Sequence, residues 1–155
     1  MTDTQKLLVQ RTFKTVRPMG PQAAALFYAR LFGMHPSLRP RFRRPLAEHG
    51  ELLMEMISSM VAGIHRPDSF TPELEQFGRR HLAFGIRPEH YQSAGECLIW
   101  TLECCLGKAF TPELREAWSG LFAMAAAAMR RGVESIDEMP TMRVPVVNLA
   151  ALPAA

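Results

Sequence analysis

Two histidines and a tyrosine stand where side chains of their kind can do chemistry. His49 and His81 each fall on the apolar face of a helical pattern, four residues from a large apolar side chain: Leu53 for the first, Phe77 for the second. A neutral imidazole facing a dry pocket can ligate a metal or donate one hydrogen bond, and the partner of its other ring nitrogen orients it. Taken singly, each reads more readily as a hydrogen-bonded core histidine than as a ligand. Two that face one core point to a shared metal or cofactor. Neither HExxH nor a Glu-x-x-His pair accompanies them, and no CxxC or Cys/His zinc spacing occurs. A flat cofactor that needs only axial ligands fits such a set better than a bare metal. Tyr28 is the third candidate: on the apolar side of its own helix, its hydroxyl must find a partner, either a backbone carbonyl or a bound ligand. His35 before a proline, His65 in a loop and His90 after Pro88 read as solvated or capping residues.

The elements that must position these residues are helices separated by short breaks. The first spans about residues 3–17, with Leu7, Leu8, Val9, Phe13 and Val16 apolar, and stops at Pro18-Met19-Gly20. The second, 21–34, opens on Pro21 and lines Ala24, Tyr28, Leu31 and Phe32 on one face before His35-Pro36 ends it. A short turn-like helix over 35–42 is broken by Pro40. From Leu46 to Ile64, His49, Leu53, Met56, Met60 and Ile64 recur at spacings of three and four, and Leu52 and Ile57 widen the stripe.

Thr71-Pro72-Glu73-Leu74 opens the helix that carries Phe77, Gly78 and His81 and ends near Gly85. An oxygen cap, a first-turn proline and an acid against the dipole all point the same way. Pro88 starts the next, through Tyr91, Leu98, Ile99, Trp100 and Leu102 to Gly107, and Thr111-Pro112-Glu113-Leu114 begins a last helix to about Arg131. Beyond it, Pro140, Pro145, Pro153 and the run Val144-Pro145-Val146-Val147 predict an extended or disordered tail over 134–155.

Bulk properties agree with one domain over residues 1–133. At 155 residues, with 48% hydrophobic and 21% charged side chains, the chain can bury a core without disulfides or structural metal. No apolar run approaches the ~18 residues of a spanning helix, and the opening MTDTQKLLVQRTFK lacks a signal-peptide core. A cytoplasmic protein with no membrane partner is expected. Cys97, Cys104 and Cys105 fall in one segment and read as reduced, mostly buried thiols. The net charge of +3 is mild, and the cluster Arg39, Arg41, Arg43 and Arg44 lacks the long basic face of a nucleic-acid binder. It reads first as a solvated corner.

LFYARLF at 26–32, RPRF ending at Phe42, GRRHLAFGIRPEHY at 78–91 and AWSGLFAMAAAAM at 117–129 resemble the bacterial globins. These are the single-domain haemoglobins and the globin part of the flavohaemoglobins. The resemblance covers roughly residues 5–133, and its most specific piece is the His followed by PEHY, from His81 to Tyr91. It implies the all-α globin fold, a three-over-three helical sandwich, and haem b as cofactor, and it assigns roles. His81 is the proximal iron ligand and Phe42 packs on the haem face. Tyr28 is the distal tyrosine, His49 the distal residue where glutamine is common, and Leu53 the apolar gate one turn later. Tyr91 is the proximal-side tyrosine that helps orient the proximal histidine, and Phe84, Ile86 and Trp100 are wall residues. A further reading of the 39–44 cluster, left open beside the solvated corner, places one of its arginines near the haem propionates. The flavohaemoglobin glutamate falls at Val133 in this register, with Glu134 one residue off, a rotation of ~100° on a helix.

The function implied is binding of O2, NO and CO, with Tyr28 and His49 as donors to a bound ligand. Nitric oxide dioxygenation would require an electron donor or separate reductase, since no Gly-rich dinucleotide motif occurs. The alternative is a six-coordinate haem with both His49 and His81 on iron, serving redox sensing or electron transfer. A monomer or homodimer is expected. A haem-free helical scaffold is the remaining reading.

Overall fold

The computed structural model describes residues 1–138, and among these every regular element is helical. The α-helices are α1 (Asp3–Val16), α2 (Gly20–Met34), α3 (Leu46–Ala62), α4 (Thr71–Ala83), α5 (His90–Leu106) and α6 (Pro112–Glu138), with 3-10 turns at Arg17–Met19, Pro36–Arg41, Pro67–Ser69 and Gly107–Ala109. They form the two-layer sandwich expected: α1, α3 and α4 lie across α2, α5 and α6, with α4 packed on α6, α3 on α2 and α1 on α6. None of the described helices is long and apolar enough to cross a membrane.

Local chemistry explains most boundaries. At α1 a capping box closes the N-terminus: Thr2 Oγ1 accepts from the Gln5 amide at 3.1 Å and Gln5 Oε1 accepts from the Thr2 amide at 2.9 Å. The two Thr-Pro-Glu-Leu openings behave differently. Thr111 Oγ1 accepts from the Leu114 amide at 3.3 Å, as a cap should. Thr71 lies inside α4, and its hydroxyl donates to the Pro67 carbonyl at 2.8 Å. The Pro67–Ser69 turn delivers the chain into the helix one residue early, so the cap position falls on Phe70. At the other end of α4, Gly85 takes φ +82°, the left-handed conformation that glycine adopts without a Cβ clash. The amides of Phe84 and Ile86 then both donate to the His81 carbonyl.

The last helix outruns its sequence reading. It continues to Glu138, so five residues of the segment expected as extended are helical. Arg79 supplies the reason: its guanidinium donates to the Gly132 carbonyl at 3.4 Å and to Ser135 Oγ at 3.2 Å, tying that turn to α4. Arg131 adds an ion pair to Glu75 at 3.6 Å. The first proline after Arg131 is Pro140. The rest of the expected tail, 139–155, lies outside the described residues.

The main core joins Val9, Ile64, Leu74, Trp118 and Leu121, all fully or almost fully buried. Trp118 Nε1 donates to Thr12 Oγ1 at 2.9 Å, so its one polar atom is satisfied. Leu52, expected on the apolar stripe of α3, is exposed, whereas Ile57 is buried. All three cysteines are free, but Cys104 is exposed and Cys105 half-buried, so only Cys97 is the buried thiol expected of the segment.

Two helix crossings depend on glycine. A Cβ on Gly78 would land on the Met129 carbonyl, and one on Gly132 on the Glu75 carbonyl, so α4 and α6 touch backbone to backbone. On the other side, a Cβ on Gly50 would come within 2.8 Å of the Ala24 Cβ, which sets how closely α3 approaches α2.

Candidate functional site

A second apolar cluster, separate from the main core, gathers Phe27, Tyr28, Leu31, Leu38 and Cys97, flanked by Phe32, Phe42, Leu46, Leu53, Ile86, Ala94 and Leu98. It forms where α2, the Pro36–Arg41 turn, the start of α3, the turn after α4 and α5 converge. Both singled-out histidines border it.

His81 sits in the last turn of α4, and its Nδ1 lies 2.9 Å from the Phe77 carbonyl one turn earlier. A carbonyl only accepts, so Nδ1 carries the proton and Nε2 keeps its lone pair. The Phe77 ring lies 4.0 Å from the imidazole, centroid to centroid, and steadies the same orientation. Burial lowers the pKa of His81; the bond to Phe77 opposes this and the nearby His49 adds to it. The ring is therefore neutral at neutral pH, as a ligand must be.

His49 occupies the first turn of α3. Its ring packs edge-on against Phe42 at 5.0 Å and faces Tyr28 at 6.5 Å. Burial first, and then the charge of Arg44, lower its pKa. Its Nε2 is buried without a hydrogen-bond partner among the described residues. Such an orphan costs about 1–3 kcal/mol unless something pairs with it.

Tyr28 is buried between Phe27, Phe32 and Phe42, with centroids at 5.0, 5.8 and 5.4 Å. Its hydroxyl donates to the backbone carbonyl of His49 at 3.2 Å. Of the two partners open to that hydroxyl, the structure places the carbonyl. Burial raises its pKa, so it stays a neutral donor. The bond reaches the His49 main chain and leaves the ring free.

The remaining expected residues divide. Phe42, Leu53 and Ile86 flank the cluster. Phe84 does not: it is 57% exposed, because the turn at Gly85 rotates it outward at the end of α4. Trp100 also lies elsewhere, lining a cleft of about 900 Å³ between α5 and α6, beneath the Arg30 guanidinium at 4.9 Å. Tyr91 borders that same cleft, buried, with its hydroxyl unpartnered and no bond to His81. The Phe77 carbonyl, a main-chain group that no side-chain pattern announces, orients His81 instead. Leu38 and Cys97 were also missed as members of the cluster; Cys97 shares the α5 face of Ala94 and Leu98, a spacing that could have found it. Of the other histidines, His35 Nε2 pairs with Ser93 Oγ at 2.8 Å and His90 Nδ1 accepts from the Arg87 amide at 3.0 Å.

Comparison with known proteins places this geometry. The family model described as Globin matches residues 25–129. The chain is 26% identical over 146 residues to a neuroglobin of Tetraodon nigroviridis, covering 85% of this chain and 92% of that protein. It is 30% identical over 138 residues to a flavohemoprotein of Rhizobium meliloti (strain 1021), covering 87% of this chain but only 34% of the relative. Among solved structures, a bacterial globin from Campylobacter jejuni superposes with a TM-score of 0.79 at 18% identity, over 89% of this chain and all of that one. A hexacoordinated heme protein from an anhydrobiotic tardigrade does so with a TM-score of 0.77 at 19% identity, over 86% and 96%. The two structures share the fold with this chain.

Proposed function

The chain belongs to the globin family, whose members bind haem and small gases, and from that premise we propose that it binds O2, NO and CO at a haem b whose iron is held by His81. One observation carries the reading: two neutral imidazoles border one apolar cluster, each with an Nε2 that makes no hydrogen bond among the described residues. The donor set fits haem: His81 would hold the iron through Nε2, and the bound group or its ligand would give the buried orphan on His49 a partner.

When bound, the haem supplies an iron centre that exchanges electrons and small ligands. This chain's residues do the rest. Phe77 presents His81 with its proton on Nδ1, so Nε2 is the ligating atom. Phe42, Leu53 and Ile86 wall the site and exclude water. His49, neutral and buried at Nε2, is the group placed to donate to a bound ligand. Tyr28 acts through His49, whose carbonyl it holds.

A second reading, iron ligated by both His49 and His81, is favoured by that same unpartnered Nε2. Similarity to the neuroglobin and to the hexacoordinated heme protein is compatible with it. The ferrous absorption spectrum without added ligand separates the two. A single broad visible band establishes an open site, in which faster O2 release from His49→Leu would then identify His49 as donor; sharp split bands establish His49 as a ligand, and His49→Gln should then convert them to the broad form. Purified protein with no Soret band after haem supplementation would sink both.

Nitric oxide dioxygenation, in which NO, O2 and one electron give nitrate, belongs to the first reading and rests on similarity to the flavohemoprotein, of which this chain spans about a third. Sustained nitrate formation should then appear only when an external reductase is supplied.

A further inference from the structure

The side of the site around the Pro36–Arg41 turn carries an unusual charge. Arg39, Arg41, Arg43 and Arg44 fall within six residues and all are exposed. The ion pairs among the described residues are Lys6–Asp3, Arg115–Glu103 and Arg131–Glu75, and none uses these arginines. The cluster is also larger than the sequence run suggests. The Arg41 guanidinium lies over Gly85, close enough that a Cβ there would meet it at 2.9 Å. That contact brings the 39–44 cluster against the turn between α4 and α5, which carries exposed Arg87. Beside Gly85 stands Phe84, the most exposed of the large hydrophobic residues described.

These five arginines account for more than the whole net charge. The chain has eighteen Lys and Arg against fifteen Asp and Glu, so the remainder is net acidic, thirteen against fifteen. The positive charge is therefore concentrated, and it borders the functional site: Arg44 and Arg39 both act on His49, with Glu48 opposing them. The two propionates of a bound haem could neutralise at most two of the five. At least three arginines would still face solvent next to an exposed aromatic ring, and set against the exposed acids of the same segments, Glu48 and Glu89, the rim keeps a net positive charge.

We infer that this arginine rim, with Phe84 beside it, is the docking face for an acidic one-electron-donor protein. The inference rests on the haem reading above. Arginine with an aromatic anchor is the composition of a protein–protein contact, and a compact rim steers a partner of opposite charge. A nucleic acid would be better served by an extended basic track with several aromatics. The step served would pass one electron from the donor's reduced iron–sulfur or flavin centre, oxidising it, to the ferric haem that His81 would hold, reducing it, with no bond made or broken. Docking here brings the donor to the side of the fold where His49 and His81 meet.

The test uses holoprotein and an acidic [2Fe–2S] ferredoxin as probe, with affinity read by calorimetry and the haem spectrum recorded on the same samples. Between low salt and about 0.15 M ionic strength the dissociation constant should rise at least about tenfold, since exposed charges are screened over ~8 Å. Arg41→Glu, Arg44→Glu and Arg87→Glu should each weaken binding by about tenfold or more, while Lys14→Glu and Lys108→Glu, the same charge change elsewhere, should cost less than about twofold. Phe84→Ser should weaken binding without altering its salt dependence. Equal effects at rim and control positions, no measurable binding at low salt, or tighter binding to single-stranded DNA or phosphatidylserine vesicles would each overturn the inference. A lost Soret band in unmodified protein would instead mark failure of the haem reading, and a rim variant counts only if its spectrum matches the parent.

Discussion

The two sides of the site are built by different means. Below, His81 is fixed within one helix: the Phe77 carbonyl takes its Nδ1 proton, the Phe77 ring supports its plane, and two amides after the helix converge on its carbonyl. That helix is pressed against α6 at Gly78 and Gly132, where neither chain has room for a methyl group. Above, His49 is hydrogen-bonded only through its main chain, which the Tyr28 hydroxyl and the Gly50–Ala24 crossing hold; its ring packs on Phe42 but makes no hydrogen bond among the described residues. One imidazole arrives oriented, and the other is positioned but free to choose a partner. A permanent iron ligand needs the first property, and a group that competes with or assists an incoming ligand needs the second.

The largest effect should come from His81→Ala, which removes the oriented imidazole. Stable haem retention should be lost, and a normal Soret band in the purified variant would show that the roles of the two sides have been misassigned. Next is Gly132→Ala, remote from the cluster. Forcing α6 off α4 should cost about 1–3 kcal/mol or more by overpacking. It should also loosen haem by tilting His81, and a Tm equal to the parent's would mean that the backbone contact is not held in solution.

His49→Gln should leave folding nearly intact while changing the ligand-free ferrous spectrum or the O2 release rate. It should also alter the acid limb. Burial lowers both imidazole pKa values from 6.5, so above that value neither side of the folding equilibrium takes up the proton. As pH falls below 6.5 the unfolded chain protonates first and stability declines. His49→Gln should flatten part of that decline in denaturant titrations, and an unchanged slope would remove His49 from it. The smallest effect belongs to Tyr28→Phe, which deletes one hydrogen bond worth about 0.5–1.5 kcal/mol. If the hydroxyl acts through His49, O2 release should change in the parent background but not in His49→Leu, whose side chain has no donor to position; a change of equal size in both would mean that Tyr28 meets the ligand itself.

What the sequence made legible follows the same division. Helical spacing placed His49, Leu53, Phe77 and His81 on apolar faces, because a surface helix buries one stripe and leaves its imprint every three or four residues. Spacing also singled out Tyr28 without choosing its partner, and resemblance to the bacterial globins supplied Phe42 and Ile86. Phe84 and Trp100 fall away from the cluster because their surroundings are set by the turn at Gly85 and by the α5–α6 cleft, neither of which helical spacing contains. Tyr91 was expected to orient His81, a task that falls to a backbone carbonyl with no signature in residue types. The end of α6 was misjudged for a related reason. Arg79 reaches it from fifty-six residues away, a contact that no local propensity contains.

Pro45 precedes the first turn of α3 without a side-chain cap, and His49 lies within that turn. The opening amides of this helix therefore lack the side-chain acceptor that Gln5 receives from Thr2 in α1. Helix ends of this kind fray within sub-microsecond times, far faster than a folded domain opens. Exchange of His49 between partners can then be a local event of a few residues, one that leaves the α4–α6 contact undisturbed. The speed with which the site admits a gas would be written into the unfinished beginning of a helix, and hydrogen exchange at Glu48 and His49, whose amides donate to the Pro45 carbonyl, would report it.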